Sequence, residues 1–305
     1  MVCCLPISDA YGVETQLLST FVAVARLGSF SAAATELGYT QAAVSQQIAA
    51  LENDLKTQLL NRRPVTPTEA GTRLLEHAEP ILLRLAAART DVTKLTTSPA
   101  ATLTVGVTPL AGAIPRLGTA LAELRHRMPR VGITLETGTR QQLAIAVARG
   151  DLDLALTDGL TRPGDPLTEL APVNAVGLSE EAVRVVLPAG HPMAAKPVLG
   201  LVDLADARWL AADNVAPPLA EIRRHSDTEG FRPAFSYEGT DTMTLISLAA
   251  AGHGLTLLPE SALRHRGITS VQVAQPRLSH RVELLNAALP KASPAAALAE
   301  ILSQR

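Results

Sequence analysis

Cysteine is nearly absent from this 305-residue chain: Cys3 and Cys4 are the only two, and they are adjacent. Such a pair cannot build a disulfide framework, which fits a reducing compartment, the cytoplasm. Aromatic residues make up only 3%, and the single tryptophan, Trp209, is expected in a core rather than as a stacking platform. No apolar run approaches the roughly 20 residues needed to span a bilayer, so no membrane partner is expected. The first residues lack a basic n-region and a cleavage site, which argues against a secretory signal. Residues 1–12 read as a loose leader.

The signatures of common catalytic sites are missing too. There is no G-x-S-x-G elbow, no P-loop and no G-x-G-x-x-G after a strand. Seven histidines are scattered without H-x-x-x-H spacing, and no cysteine stands near to share a metal. No enzyme activity, cofactor or metal is therefore expected. A strong positive charge is lacking as well. The net charge is −2, and residues 1–97 hold 8 Lys and Arg against 9 Asp and Glu. That excludes a nucleic-acid binder working by bulk electrostatics alone and implies modest non-specific affinity.

What is present begins at residue 17. The stretch 17–55 reads as three short helices. In the third, Val44, Ile48, Leu51 and Leu55 are spaced 4, 3, 4 and share one side. Gln41, Ala42, Ser45, Gln46 and Ala49 fall opposite. Thr40 can cap the start of this helix, and Gly38 can end the one before it. Two helices joined by Gly38-Tyr39-Thr40 fit the helix-turn-helix plan. Gln and Ser are side chains able to read base edges in a major groove. On residues alone, the same face could also be an ordinary solvated surface.

Thr66-Pro67-Thr68-Glu69 predicts a capping box with Pro at the first helical position. A helix of 29 residues follows, roughly 43 Å long. Along it Leu74, Ala78, Ile81, Leu85, Ala88, Val92 and Leu95 alternate 4 and 3, a heptad seam suited to pairing two chains. Pro80 should bend this helix or cost it a hydrogen bond.

These runs carry a family resemblance. F-V-A-V-A-x-x-G-S-F-S-x-A-A-x-x-L from Phe21 to Leu37, S-Q-Q-I-x-x-L-E-x-x-L from Ser45 to Leu55, and the T-P-T-E-A-G-T-R-L-L run ending at Leu75 resemble the winged helix-turn-helix of the LysR-type transcriptional regulators. Ala42 stands where that family commonly has Pro, and Leu60 where it commonly has Phe. The wing, 61–66, is shorter than usual. The resemblance implies a DNA-binding domain over 13–67 and a linker and dimerisation helix over 68–97. It implies DNA contacts from Ser31, Thr40, Gln41, Ala42, Ser45 and Gln46, with Arg62 and Arg63 at the wing.

Thr96-Thr97-Ser98-Pro99-Ala100 is a hinge by composition, taken as 98–101. Beyond it strands alternate with helices. Strands are predicted near 103–107, 131–136, 152–157, 183–187, 235–237, 255–258, 268–273 and 282–288. Helices are predicted near 114–127, 141–149, 217–229, 242–251 and 293–303. Such alternation implies α/β architecture with mainly parallel pairing. L-T-V-G-V-T-P, A-R-G-D-L-D-L-A-L, V-L-P-A-G-H-P-M-A and A-A-G-H-G-L-T-L-L-P extend the resemblance. It implies that 102–305 is a two-lobed, periplasmic-binding-protein-like effector domain. Lobe 1 would be 102–161 with 270–305, and lobe 2 would be 162–269.

Ligands of such folds sit beyond strand carboxyl ends, beside helix N-termini. Thr108, Pro109, Thr157, Asp158, Asp213, Asn214, Thr240, Asp241 and His253 occupy such places, with Thr108 able to cap the next helix. Hydroxyls and helix N-termini suit a carboxylate, while the aspartates allow an amine or hydroxyl on it. The reading is a bacterial, ligand-responsive regulator that binds double-stranded DNA as a homodimer or homotetramer. A solute-binding module whose helical N-terminus only dimerises is the alternative, and an α/β enzyme using the cleft is a third.

Overall fold

A computed structural model describes residues 14–97, 102–168, 170–263, 268–287, 289–291 and 293–304, without the side chains of 91 and 94–97. The leader 1–12, the hinge 98–101 and the Leu95 side chain lie outside the described residues. The chain forms two compact units, Met1–Arg89 and Thr90–Arg305.

In the first unit three helices, α1 (Thr15–Leu27), α2 (Phe30–Leu37) and α3 (Gln41–Asp54), precede a hairpin of β1 (Leu60–Arg62) and β2 (Val65–Pro67) and then α4 (Glu69–Thr97). Phe21, Val24, Val44, Ile48, Leu51 and Leu60 are fully buried in one core. Each contributes about 2 kcal/mol of burial. Leu55, expected to complete the α3 seam, follows the end of the helix and is 37% exposed. Ser29 and Thr40 cap α2 and α3, accepting from the amides of Ala32 and Ala43. Gly38 closes α2 with φ 71°, a backbone most side chains avoid.

One expectation for the linker is corrected. Pro67 ends a strand, and Thr68 is the residue whose hydroxyl accepts the Gly71 amide, 3.0 Å away. Proline could not open the helix because β2 needs it in extended backbone. Pro80 lies inside α4, where its missing N–H leaves a carbonyl of the preceding turn without its helical partner.

The second unit opens with β3 (Thr102–Val107), α5 (Pro109–Gly112), α6 (Pro115–Arg127), β4 (Gly132–Thr137), α7 (Arg140–Arg149), β5 (Leu154–Thr161) and β6 (Asn174–Leu187). It continues through β7 (Val198–Gly200), β8 (Trp209–Ala211), α8 (Leu219–Ser226), β9 (Pro233–Ser236), α9 (Thr242–Ala250) and β10 (Thr256–Pro259). It ends with β11 (Thr269–Gln275), β12 (Ser279–Asn286) and α10 (Pro294–Ser303). The main sheet runs β4-β3-β5-β12-β6-β11-β7, with β10 also on β6.

Pairing is less parallel than expected. β3 lies parallel to β4 and β5, and β11 to β7. However, β12 is antiparallel to both β5 and β6, and β10 and β11 are antiparallel to β6. Strands returning between the lobes run against the βαβ direction, which alternation along the sequence does not reveal. β6 is fourteen residues long. Its first part pairs with β12 and its second with β10 and β11, so both lobes share it.

Two main cores mark the lobes. Leu103, Val105, Leu124, Leu154, Leu156, Val282, Leu284 and Leu298 form one. Trp209, Phe231, Val185, Leu257, Val271, Val273 and Leu278 belong to the other. Val271 and Val273 therefore correct the lobe boundary set at 270. The second crossing follows β11, because both edges of that strand pair within the second lobe's sheet, with β6 and β7. Trp209 meets Phe231 edge-on at 5.1 Å, and its indole N–H donates to the Leu204 carbonyl at 2.8 Å.

Candidate nucleic-acid face and ligand cleft

On the first unit, Gln41, Ala42 and Gln46 are exposed and Ser45 is half-buried. Ala42 and Gln46 face away from Val44, Ile48 and Leu51, whereas Gln41 stands in the first turn at the open end of that buried seam. Ser31 is exposed near the start of α2. Thr40 is exposed, with its hydroxyl oxygen engaged as the α3 cap. Gln47, which the sequence reading passed over, accepts from the Thr20 hydroxyl at 2.6 Å and ties α3 to α1.

The two wing arginines differ. Arg62 donates to Glu52 at 3.0 Å and sits 5.0 Å over the Phe30 ring. Glu52 also accepts the amides of Leu59 and Leu60, so Arg62 braces the hairpin against α3. Arg63 is exposed and makes no ion pair among the described residues.

The heptad seam divides along α4. Leu74 packs against the core of its own domain and Ala78 is fully buried. For these two the pairing expectation is corrected, since the first turns of α4 complete the helix-turn-helix core. Leu85 lines a groove of about 420 Å³ with Thr15, Gln16, Ser19 and Arg89. Ile81 is 47% exposed and Val92 63%, and Ala88 is also exposed. That leaves apolar side chains in solvent along the later turns.

In the second unit a cleft of about 690 Å³ opens where strand ends and helix starts meet. Five of the nine expected ligand residues line it: Thr108, Pro109, Asp158, Asp213 and Asn214. Thr108 does not cap α5. Its hydroxyl donates instead to Asp158 Oδ1, while His280 Nε2 lies 2.8 Å from Asp158 Oδ2. Asn214 donates to the Glu238 carbonyl at 2.8 Å.

Four residues do not line the cleft. Thr157 is fully buried, because side chains alternate across a strand and its neighbour Asp158 takes the cleft side. Asp241 caps α9, accepting from the Thr244 amide and hydroxyl at 2.7 and 2.6 Å, and these bonds hold its carboxyl below the usual range. Thr240 stands beside it, exposed, outside the lining. His253 is exposed with its ring 5.4 Å from Phe235.

The residues not foreseen carry the cleft's charge. Thr139 and Gln142 form a reciprocal capping box that starts α7 and brings Arg140 to the cleft wall. A guanidinium N–H of Arg140 donates to the Thr168 carbonyl, while Nε is buried without a partner. Burial lowers the Arg140 pKa, opposed by the charges of Glu221, Glu283 and Asp158. Across the cleft Glu221, in the first turn of α8, accepts the Leu160 amide at 3.1 Å. Burial raises its pKa, opposed first by that hydrogen bond. Glu283, 2% exposed, accepts from Arg281 Nε at 2.7 Å and from the Leu167 amide at 3.1 Å. This arrangement can bind a polar molecule.

The family described as "Bacterial regulatory helix-turn-helix protein, lysR family" matches residues 15–72, and "LysR substrate binding domain" matches 96–304. The chain belongs to the LysR family. Among its relatives, a probable hydrogen peroxide-inducible genes activator of Mycobacterium avium is 32% identical over 277 residues, 88% of this chain and 86% of that protein. The regulator GltR of Bacillus subtilis is 31% identical over 255 residues, 82% and 81% of the two chains. The crystal structure of full-length BenM has the same fold, with a TM-score of 0.52, 24% identity and 95% of each chain covered. This LysR-family protein is thus a DNA-binding transcriptional regulator with an effector-binding domain, not an enzyme. The alternative of a solute-binding module without a DNA role finds no support. Among the described residues no helix is long and apolar enough to cross a membrane.

Proposed function

We propose that this regulator acts in the cytoplasm as a dimer, or a tetramer built from dimers. It sets the N-terminal half of α3 into a DNA major groove and senses a small metabolite in the cleft of its second unit. One observation carries the DNA half of the reading: α3 exposes Gln41, Ala42 and Gln46 while Val44, Ile48 and Leu51 are fully buried. Gln41, Ser45 and Gln46 would read base edges, and Ser31 and Thr40 would approach the backbone. Arg63 is the wing residue free to meet a phosphate, with Arg62 holding the wing in place. Ile81, Ala88 and Val92, with Leu85, are the pairing residues of α4.

Fluorescence anisotropy on the operator tests this. Replacing Gln46 with Ala should cost about 1–3 kcal/mol on the operator and little on random DNA. Arg63→Ala should weaken both equally and lower the salt slope by about one unit. Operator binding indifferent to Gln46→Ala would remove α3 as the reader.

A further inference from the structure

The cleft's ionisable groups do not all balance one another. Asp158 is saturated by the Thr108 hydroxyl and the His280 ring. Glu283, beneath Arg140, is taken by Arg281 and the Leu167 amide. Asp213 and Arg224 line the cleft but are exposed to solvent. Arg140 and Glu221 also line it, half-buried, and neither makes an ion pair within 4.0 Å among the described residues. Each is half-buried, and among the described residues each keeps one hydrogen bond, Arg140 to the Thr168 carbonyl and Glu221 from the Leu160 amide. Each feels the other's charge at a distance, but a half-buried charge without a direct ion-pair partner is costly. Two of opposite sign on one cleft call for a ligand carrying both complements.

We propose that the cleft takes a small zwitterion of the α-amino acid class, its carboxylate on Arg140 and its ammonium on Glu221. This rests on the reading of the cleft as the effector site. A bare carboxylate would leave Glu221 unmatched and set a further negative charge near Asp158. A bare amine would leave Arg140 unmatched. Among the described residues no aromatic side chain lines the cleft to stack on a flat ring. Its apolar lining, Leu170, Val215 and Ala216 among it, leaves room for a modest aliphatic side chain.

Isothermal titration calorimetry on the full-length protein tests the assignment with a panel of L-α-amino acids. Each binder is compared with its des-amino acid and its decarboxylated amine. Both truncated forms should bind at least about tenfold more weakly, the loss expected of a charge-assisted hydrogen bond. E221Q keeps an acceptor for the Leu160 amide. It should weaken the amino acid by a similar factor while leaving the des-amino acid unchanged. R140Q should abolish binding, and R140K should retain part of it. Thermal melts without ligand check that each variant is folded.

If no amino acid binds, or if the des-amino acid binds as tightly and E221Q has no effect, the zwitterion is ruled out. A ligand without an amine that is still weakened by R140Q overturns the zwitterion but keeps the cleft. Ligand binding untouched by R140Q, E221Q and T108V alike would overturn the cleft reading itself.

Discussion

At the scale of single residues, Glu221 sets stability against recognition. Its folded-state pKa is raised by burial, so folding favours the protonated carboxyl. The stabilising contribution of that protonated form is complete below the ordinary carboxylate range, about 4.3. It is lost as pH rises through the shifted value. Glu221→Gln should therefore melt higher than the parent at about pH 7.5, with the difference shrinking toward pH 4. Differential scanning calorimetry at both pH values checks this, and a variant that melts lower at neutral pH contradicts it. The sequence allowed Thr108 and Asp158 to be named because a strand end followed by a capping residue is a readable pattern. Arg140 was missed although Thr139 and Gln142 spell the capping box that presents it. Glu283 was missed because a charge inside a strand looks solvent-facing until the Leu167 amide, 116 residues away in the chain, is brought to it beside Arg281. Thr240, Asp241 and His253 show the converse: local turn chemistry does not say which strand end faces which cleft.

At the scale of elements, the joint between the wing and α4 is the least tolerant. A Cβ on Gly71 would stand 2.1 Å from the Leu59 carbonyl oxygen, a backbone atom that cannot rotate away. Gly71→Ala should cost the helix-turn-helix domain several kcal/mol, about 3 or more. Operator binding should vanish and part of the helical circular dichroism should melt early. The fluorescence of Trp209, the single tryptophan and part of the second unit's core, should melt as in the parent. Helices were legible because hydrophobic spacing and caps are local, as α1, α3 and α7 illustrate. β8 and the first half of β6 were not. The three residues of β8 are too few to show a period, and residues 174–177 are exposed although paired in a sheet.

At the scale of the whole molecule, the apolar positions left in solvent on α4 must be covered in the active assembly. Ile81→Asp with Val92→Asp should shift the protein to monomers by sedimentation velocity and cut operator affinity at least about tenfold. Cleft binding should survive. Unchanged sedimentation would mean that the chain pairs elsewhere. The heptad pattern alone overstated this seam, because Leu74 and Ala78 fit a pairing face and a domain core equally well. Only the packing of α4 on its own domain tells them apart.

The fourteen residues of β6 pass from one lobe into the other without a break, carrying ladder bonds to β12 on one stretch and to β10 and β11 on the next. The β12 pairing ends at Ala182 and the β10 pairing begins at Val183, so each ladder stays within one lobe. A turn of one lobe against the other at that joint would leave both ladders whole, since a pleated ribbon tolerates a range of twist. The single continuous strand thereby makes a natural axle for the effector-binding domain.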